Sequence, residues 1–399
     1  MSDQKVREDG IIELDTQDVD HWIGKPLGGG IMKDPIQAND IRRWAQGMQN
    51  PNPLYYDEAY AASSVFAQKE EFKTLRAPQS FAVCTDTSHG AGPAIQGVIP
   101  GQHMIFGGDE WWFFGPAIYP GDKISFDRML YDYKVSETKF AGPTMFSRGD
   151  TTYIKQTGDV VCKQRSTSVR YLAENALKKG LFANAKKKQW TEQELEELEK
   201  QKMDYYQSFY DLGHDRRLFV EVGEKLATRP LGPHTIASFT TEWRSYLMTV
   251  WGASRETGGE SSTLDAGWLP EMSRDTEAAK IDPGQGDGLY KGPSRGHVQE
   301  EFAQLIGMPR EYGYGASMGA WIIDYLSNWA GEWSFIVHSN FSYRAPALTN
   351  DATFLNGEVI DLSENPDTGQ PLATVKAVMT NQDGDVMAQG QAEILLPSP

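Results

Sequence analysis

Gly286–Trp329 reads GDGLYKGPSRGHVQEEFAQLIGMPREYGYGASMGAWIIDYLSNW. A loop rich in glycine and proline delivers one histidine, His297, and a short amphipathic segment follows it. The turn Gly313-Tyr314-Gly315 then opens a strongly apolar helix predicted over Ala316–Trp329. Such a helix has to be wrapped by other elements, since an apolar surface on every side is stable only when enclosed. A single titratable imidazole beside a helix N-terminus is also the equipment for chemistry on a carbonyl compound.

The wrapping strands lie downstream. Trp333–Tyr343, Thr353–Asp361, Ala373–Thr380 and Val386–Leu396 are rich in β-branched and aromatic residues and are separated by turn signals. Upstream of the quoted stretch, Trp243, Tyr246, Leu247, Val250 and Trp251 share one face of a helix predicted over Thr241–Trp251. Residues 252–292 read as a polar insertion rich in Gly, Glu and Ser.

The first half has the same order of parts. A helix is predicted over Asp40–Met48, and Gln49-Asn50-Pro51-Asn52-Pro53-Leu54-Tyr55 must be a loop because its prolines stop the helix. Strands follow at Met104–Phe114, Lys123–Tyr133, Pro143–Lys155 and Val160–Leu172. Gln156-Thr157-Gly158-Asp159-Val160 is repeated as Gln382-Asp383-Gly384-Asp385-Val386, and Phe114-Gly115-Pro116…Gly121-Asp122 as Tyr343-Arg344-Ala345-Pro346…Asn350-Asp351. The expected product is α+β: two similar domains, 1–172 and 218–399, each an antiparallel sheet wrapped around a helix. A charged helical linker, 173–217, joins them, marked by the capping box Thr191-Glu192-Gln193-Glu194.

Composition narrows the function. A formal net charge of −17 over 399 residues argues against nucleic acid or an anionic membrane as partner. With only two cysteines, Cys84 and Cys162, and no run of eighteen apolar residues, a soluble, cytoplasmic chain is expected. Metal-ligand spacings of the H-x-x-x-H or C-x-x-C kind are missing, as is a G-x-S-x-G nucleophile turn. Gly313-Tyr314-Gly315 is not a dinucleotide fingerprint, because Gly319 comes one residue too late.

These segments resemble the MaoC-like enoyl-CoA hydratases and dehydratases in their double-hotdog form. The family signature runs Gly-Asp-x-Asn-Pro-Leu/Ile-His. Gln49–Tyr55 is similar to it, with Asn50 where the aspartate would stand and Tyr55 in the histidine's place; neither is a base near pH 7. The second half is similar to the segment that begins at the histidine: Gly296-His297-Val298, Gly307-Met308-Pro309 and Tyr314-Gly315. The resemblance gives His297 the histidine's role and gives Gly315 that of the backbone donor to the thioester oxygen. Where the aspartate would stand, five residues upstream of the histidine, this chain has Gly292. Asp287, Asp265 and Glu256 are therefore the candidate acids, with Asp287 first because it shares a loop with His297.

Arg295, Tyr314 and Arg344 are the candidate substrate contacts. The implied activity is hydration of a 2-enoyl-CoA, or dehydration of a 3-hydroxyacyl-CoA, with no cofactor beyond the CoA of the substrate. A bulky acyl group would suit a chain with a silent first half and an insertion. A hotdog thioesterase and a non-catalytic acyl-CoA-binding subunit are the alternatives, and a homodimer remains open.

Overall fold

Antiparallel pairing runs through both halves of the chain. The computed structural model describes residues 5–32, 34–64, 75–86, 90–182, 185–247 and 294–398, together with the backbone of 255–256. The strands are β1 (Pro26–Met32), β2 (Gln102–Phe113), β3 (Ile124–Thr138), β4 (Gly142–Lys155), β5 (Val160–Leu172), β6 (Arg229–Leu231), β7 (Arg255–Glu256), β8 (Phe335–Tyr343), β9 (Thr353–Glu364), β10 (Pro371–Asn381) and β11 (Val386–Leu395). They form one sheet in the order β6-β9-β10-β11-β8-β2-β5-β4-β3-β1-β7. The halves meet where β2 pairs with β8, from Gly108 opposite Ser342 to Trp112 opposite His338.

The helices are α1 (Gln17–Asp20), α2 (Ala38–Gly47), α3 (Glu58–Ser63), α4 (Ala173–Lys179), α5 (Glu192–Tyr210), α6 (Ile236–Ser245), α7 (Glu300–Leu305) and α8 (Gly315–Ala330). Every residue of α8 except Gly315 and Ser327 is buried. Trp321, Tyr325 and Leu326 are fully enclosed, and each large apolar side chain so buried contributes about 1.5–3 kcal/mol. No described helix is long and apolar enough to cross a membrane.

The internal repeat is written into the hydrogen bonds. Lys155 N–H donates to Asp159 O across the first hairpin and Asn381 N–H to Asp385 O across the second. Each turn has a glycine at positive φ, Gly158 at 91° and Gly384 at 84°. Ile36 N–H donates to Asp122 O and Gly121 N–H to Ile36 O; His234 with Asp351 and Asn350 makes the same pair of bonds. Capping boxes at Gln37 and Thr235 then start α2 and α6. A 3-10 turn followed by a short helix comes next in each half, Pro53–Tyr55 then α3, and Arg295–His297 then α7. Tyr55 and His297 therefore occupy equivalent places.

Two elements differ from expectation. Helix α6 begins five residues before the predicted Thr241, where the Thr235–Ser238 capping box sets its start, and it ends at Ser245, ahead of Tyr246 and Leu247; residues 248–251 of the predicted helix lie outside the described residues. In the first half the position of α8 is taken by two 3-10 segments, Gln79–Thr85 and Gly92–Ile95, instead of an α-helix. Their sequence is dominated by β-branched residues, Ser, Gly and Pro, which disfavour an α-helix.

Candidate active site

His297 ends its 3-10 turn almost fully buried. Its Nδ1 lies 2.6 Å from the carbonyl oxygen of Tyr312. A carbonyl only accepts, so Nδ1 carries the proton and Nε2 keeps a lone pair. Burial pushes the imidazole down to about 4, against the opposing pull of the Tyr312 carbonyl, with His103 lowering it further. The ring is packed by two tyrosines, with centroids 3.9 Å from Tyr314 and 4.4 Å from Tyr312. The site thus presents a neutral imidazole near pH 7, held in one tautomer.

Tyr314 is also the N-cap of α8, so the imidazole packs directly against the helix start. Gly313 is anchored by its N–H to Ala347 O, and Met318 N–H donates to Tyr314 O. The first N–H groups of a helix have no intrahelical acceptor; Gly315 and Ala316 hold that position here. Gly315 needs to lack a side chain, because a Cβ there would stand 2.2 Å from Phe106 Cβ on β2. The Pro309–Tyr312 segment is fixed by Arg310. Its Nε donates to Thr349 O at 2.8 Å and its Nη2 lies 2.8 Å from Asp351 Oδ1, both side chains almost buried.

The other expected residues fall as follows. Arg295 stacks over Phe302 at 4.7 Å and reaches Gln299 at 3.3 Å, on the same turn as His297. Arg344 is exposed just beyond β8, next to Tyr343, whose ring stacks on Phe106 at 6.0 Å. Asp287 and Asp265 lie outside the described residues, as does most of the 252–292 insertion. Of Glu256 only the backbone is described, pairing with Ile31 on β1.

Three groups were not read from the sequence. His103, from β2 of the first half, brings Nε2 to 3.3 Å from the Tyr312 hydroxyl, so both halves build the surroundings of His297. Asp109 on β2 accepts from Gln164 at 2.6 Å and from the Tyr343 hydroxyl at 3.1 Å, and burial pushes it up to about 7. Gly319 of α8 makes room for it; a Cβ there would stand 2.7 Å from Asp109 Oδ2. Glu242 of α6 is fully buried, and neither carboxylate oxygen has a hydrogen-bond partner of normal geometry among the described residues. Its polar neighbour is Ser317 in the first turn of α8, and burial raises it well above the usual carboxylate range. Counting from the paired capping boxes, Glu242 stands where the first half has Trp44, so the repeat held the signal that marks it as unusual.

In the first half the equivalent loop is tied into α8 instead. Asn50 Oδ1 accepts from Asn328 Nδ2 at 3.1 Å, and Asn52 Nδ2 donates to Asn328 Oδ1 at 2.9 Å. Arg229, fully buried, donates to the carbonyls of Met48, Gln49 and Trp321. The loop is held by amides and a guanidinium, with no base at its tip.

Comparison with known proteins places this architecture. Residues 21–164 match the family model described as FAS1-like, dehydratase domain region. A stretch of 159 residues is 25% identical to a Thermomonospora curvata protein named "Probable enoyl-CoA hydratase alpha subunit". That match spans 38% of this chain and about half the relative's length, 50%. A MaoC-like dehydratase structure superposes over 95% of this chain and 100% of its own with a TM-score of 0.58 at 15% identity. A Mycobacterium tuberculosis protein with a double hotdog fold does so over 95% and 97%, with a TM-score of 0.50 at 10% identity. The fold is a double hotdog of the α+β class, and the likeness in sequence is to dehydratases and an enoyl-CoA hydratase.

Proposed function

We infer that the chain is a hydro-lyase acting on acyl-CoA thioesters, adding water to a 2-enoyl-CoA or running the same step toward dehydration of a 3-hydroxyacyl-CoA. The observation that carries this reading is the imidazole of His297, neutral, with Nδ1 spent on Tyr312 O and Nε2 left as a base against the first turn of α8.

In the forward direction Nε2 takes a proton from water as its oxygen bonds to C3. A carboxyl group returns a proton to C2, so the elements of water are added with no redox change. Asp287 is the proposed acid. Positioned acid–base help of this kind supplies on the order of 10²–10⁴-fold. Charge developing on the thioester oxygen is met by the Gly315 N–H, and one such donor is worth on the order of 10²–10³-fold. Tyr314 lines the acyl side and Arg295 and Arg344 meet the CoA. The reaction needs neither metal nor redox cofactor. We propose a bulky acyl group for the substrate, since only the second half keeps a base and the chain carries the 252–292 insertion.

The test follows loss of enoyl absorbance when the purified chain meets a short and a bulky 2-enoyl-CoA, with release of free thiol measured in parallel. Turnover that falls at least a hundredfold in His297→Ala, without thiol release, supports the reading. Thiol release instead makes the chain a thioesterase. A second reading, an acyl-CoA-binding subunit that needs another chain for catalysis, is favoured by the word subunit in the curated relative's name. An isolated chain that is inactive until a partner is added would establish it.

A further inference from the structure

A cavity of about 590 Å³ lies at the first-half counterpart of the His297 site. The equivalence is geometric. Ala77 N–H donates to Ile118 O as Gly313 N–H donates to Ala347 O, and Pro78 and Tyr314 are the next residues and both N-caps. Gln79 therefore stands where Gly315 stands, and Tyr55 where His297 stands. Tyr55, Gln79 and Ile336 of β8 all line the cavity. Its size is that of a site for a drug-sized ligand.

The lining shows what would fit. Leu54, Phe113, Ile118, Phe209 and Phe335 supply apolar wall from both halves and the linker helix. Gln79 is spent on the backbone of β8, its amide donating to Ile336 O at 2.9 Å and its oxygen accepting from Ile336 N–H at 3.0 Å. Glu332 is held by His214 at 3.2 Å and Lys155 by Asp122 at 2.8 Å. Arg76 lies beside the Tyr55 hydroxyl, and burial pushes that phenol up to about 12. Inside the cavity an oxygen-bearing head thus meets a guanidinium and a protonated phenol, while a long chain meets hydrocarbon. Beside these donors the lining holds two acids, Asp159 and Glu332, the latter in its pair with His214, and no histidine among the described residues.

We propose that this cavity binds a second acyl ligand without turning it over, the aliphatic chain along the apolar wall and its carbonyl or carboxylate oxygen at Tyr55 and Arg76. The site stands apart from the hydro-lyase reading, since no step of that reaction is asked of it. The ligand is either a free fatty acid or an acyl-CoA; both offer the same chain and oxygen.

The experiment is calorimetric titration of the full chain with decanoate, decanoyl-CoA and CoA alone, in the wild type, His297→Ala, Tyr55→Phe and Ala117→Trp. Ala117 lines the cavity, so a tryptophan there fills it. One saturable site for decanoate or decanoyl-CoA should survive His297→Ala, weaken about tenfold in Tyr55→Phe and vanish in Ala117→Trp. Binding of decanoate assigns the free acid, and binding of decanoyl-CoA alone, with CoA itself inert, assigns the thioester. Tyr55→Phe, which removes a single oxygen, reads the site even if the tryptophan unfolds the chain. The proposal is overturned if neither ligand binds, or if the sites that bind are indifferent to both cavity substitutions.

Discussion

Gly315→Ala is the sharpest test of how α8 meets its substrate. The added Cβ would stand 2.2 Å from Phe106 Cβ, 2.8 Å from its Cγ and 3.2 Å from its Cδ1. Phe106 Cβ is bonded to the backbone of β2 and cannot swing away as a side-chain tip could. The start of α8 must then withdraw by roughly 1 Å to restore ordinary contact. A donor to a developing oxyanion works at about 2.7–3.1 Å, and a misplacement of about 1 Å costs on the order of 10²-fold. In the enoyl-CoA absorbance assay, kcat should fall by about two orders of magnitude, with KM changed far less because the proposed CoA contacts, Arg295 and Arg344, are not on α8. Phe106→Gly in the same chain should restore part of the loss, because only glycine removes the Cβ that stands 2.2 Å away. Wild-type kcat in Gly315→Ala would refute the reasoning, and so would a loss that Phe106→Gly leaves untouched.

Three further outcomes follow from the buried charges. Because His297 is held down near 4, the acid limb of kcat/KM should lie near pH 4 and not near the 6.5 of a free imidazole; a stopped pH series reads it, and a limb at 6.5 contradicts the assignment. Glu242 takes up protons more readily folded than unfolded, so its carboxyl lowers stability increasingly as pH rises above its unfolded value of 4.5. Glu242→Gln should therefore gain about 1–3 kcal/mol near neutrality in denaturant melts, with the advantage shrinking toward pH 4; if hydration is lost in the same variant, Glu242 shares the acid's role. Arg310→Ala leaves Asp351 and the Thr349 carbonyl without their guanidinium and should cost roughly 3–5 kcal/mol in chemical unfolding, loosening the segment that presents Tyr312 O to His297.

Much of the architecture was legible because local signals agreed with the global one. Runs rich in β-branched and aromatic residues, the twin Gly-Asp turns and the apolar Ala316–Trp329 stretch all describe elements whose causes are local. The linker capping box at Thr191 likewise starts α5 where expected. The start of α6 was misjudged because the apolar face was read from Trp243, Tyr246 and Leu247, of which the last two lie beyond the helix, while the Thr235 cap that begins it is a short-range hydrogen bond. Glu242 sat inside that misplaced helix and passed as one more polar residue; only its enclosure makes it exceptional.

By itself, the sequence determined the repeat, the α+β class and the position of one histidine before one glycine-led helix, since spacing and side-chain type are properties of the chain. Tertiary structure alone decided the state of that histidine. The Tyr312 carbonyl that fixes its tautomer is fifteen residues away, and His103 comes from the other half of the chain. Burial by both halves keeps the ring neutral, and desolvation is a property of the folded surroundings that no run of residues carries. The same holds for Asp109 and Glu242, ordinary acids in the sequence, which become proton-holding groups only once β2, α6 and α8 close around them.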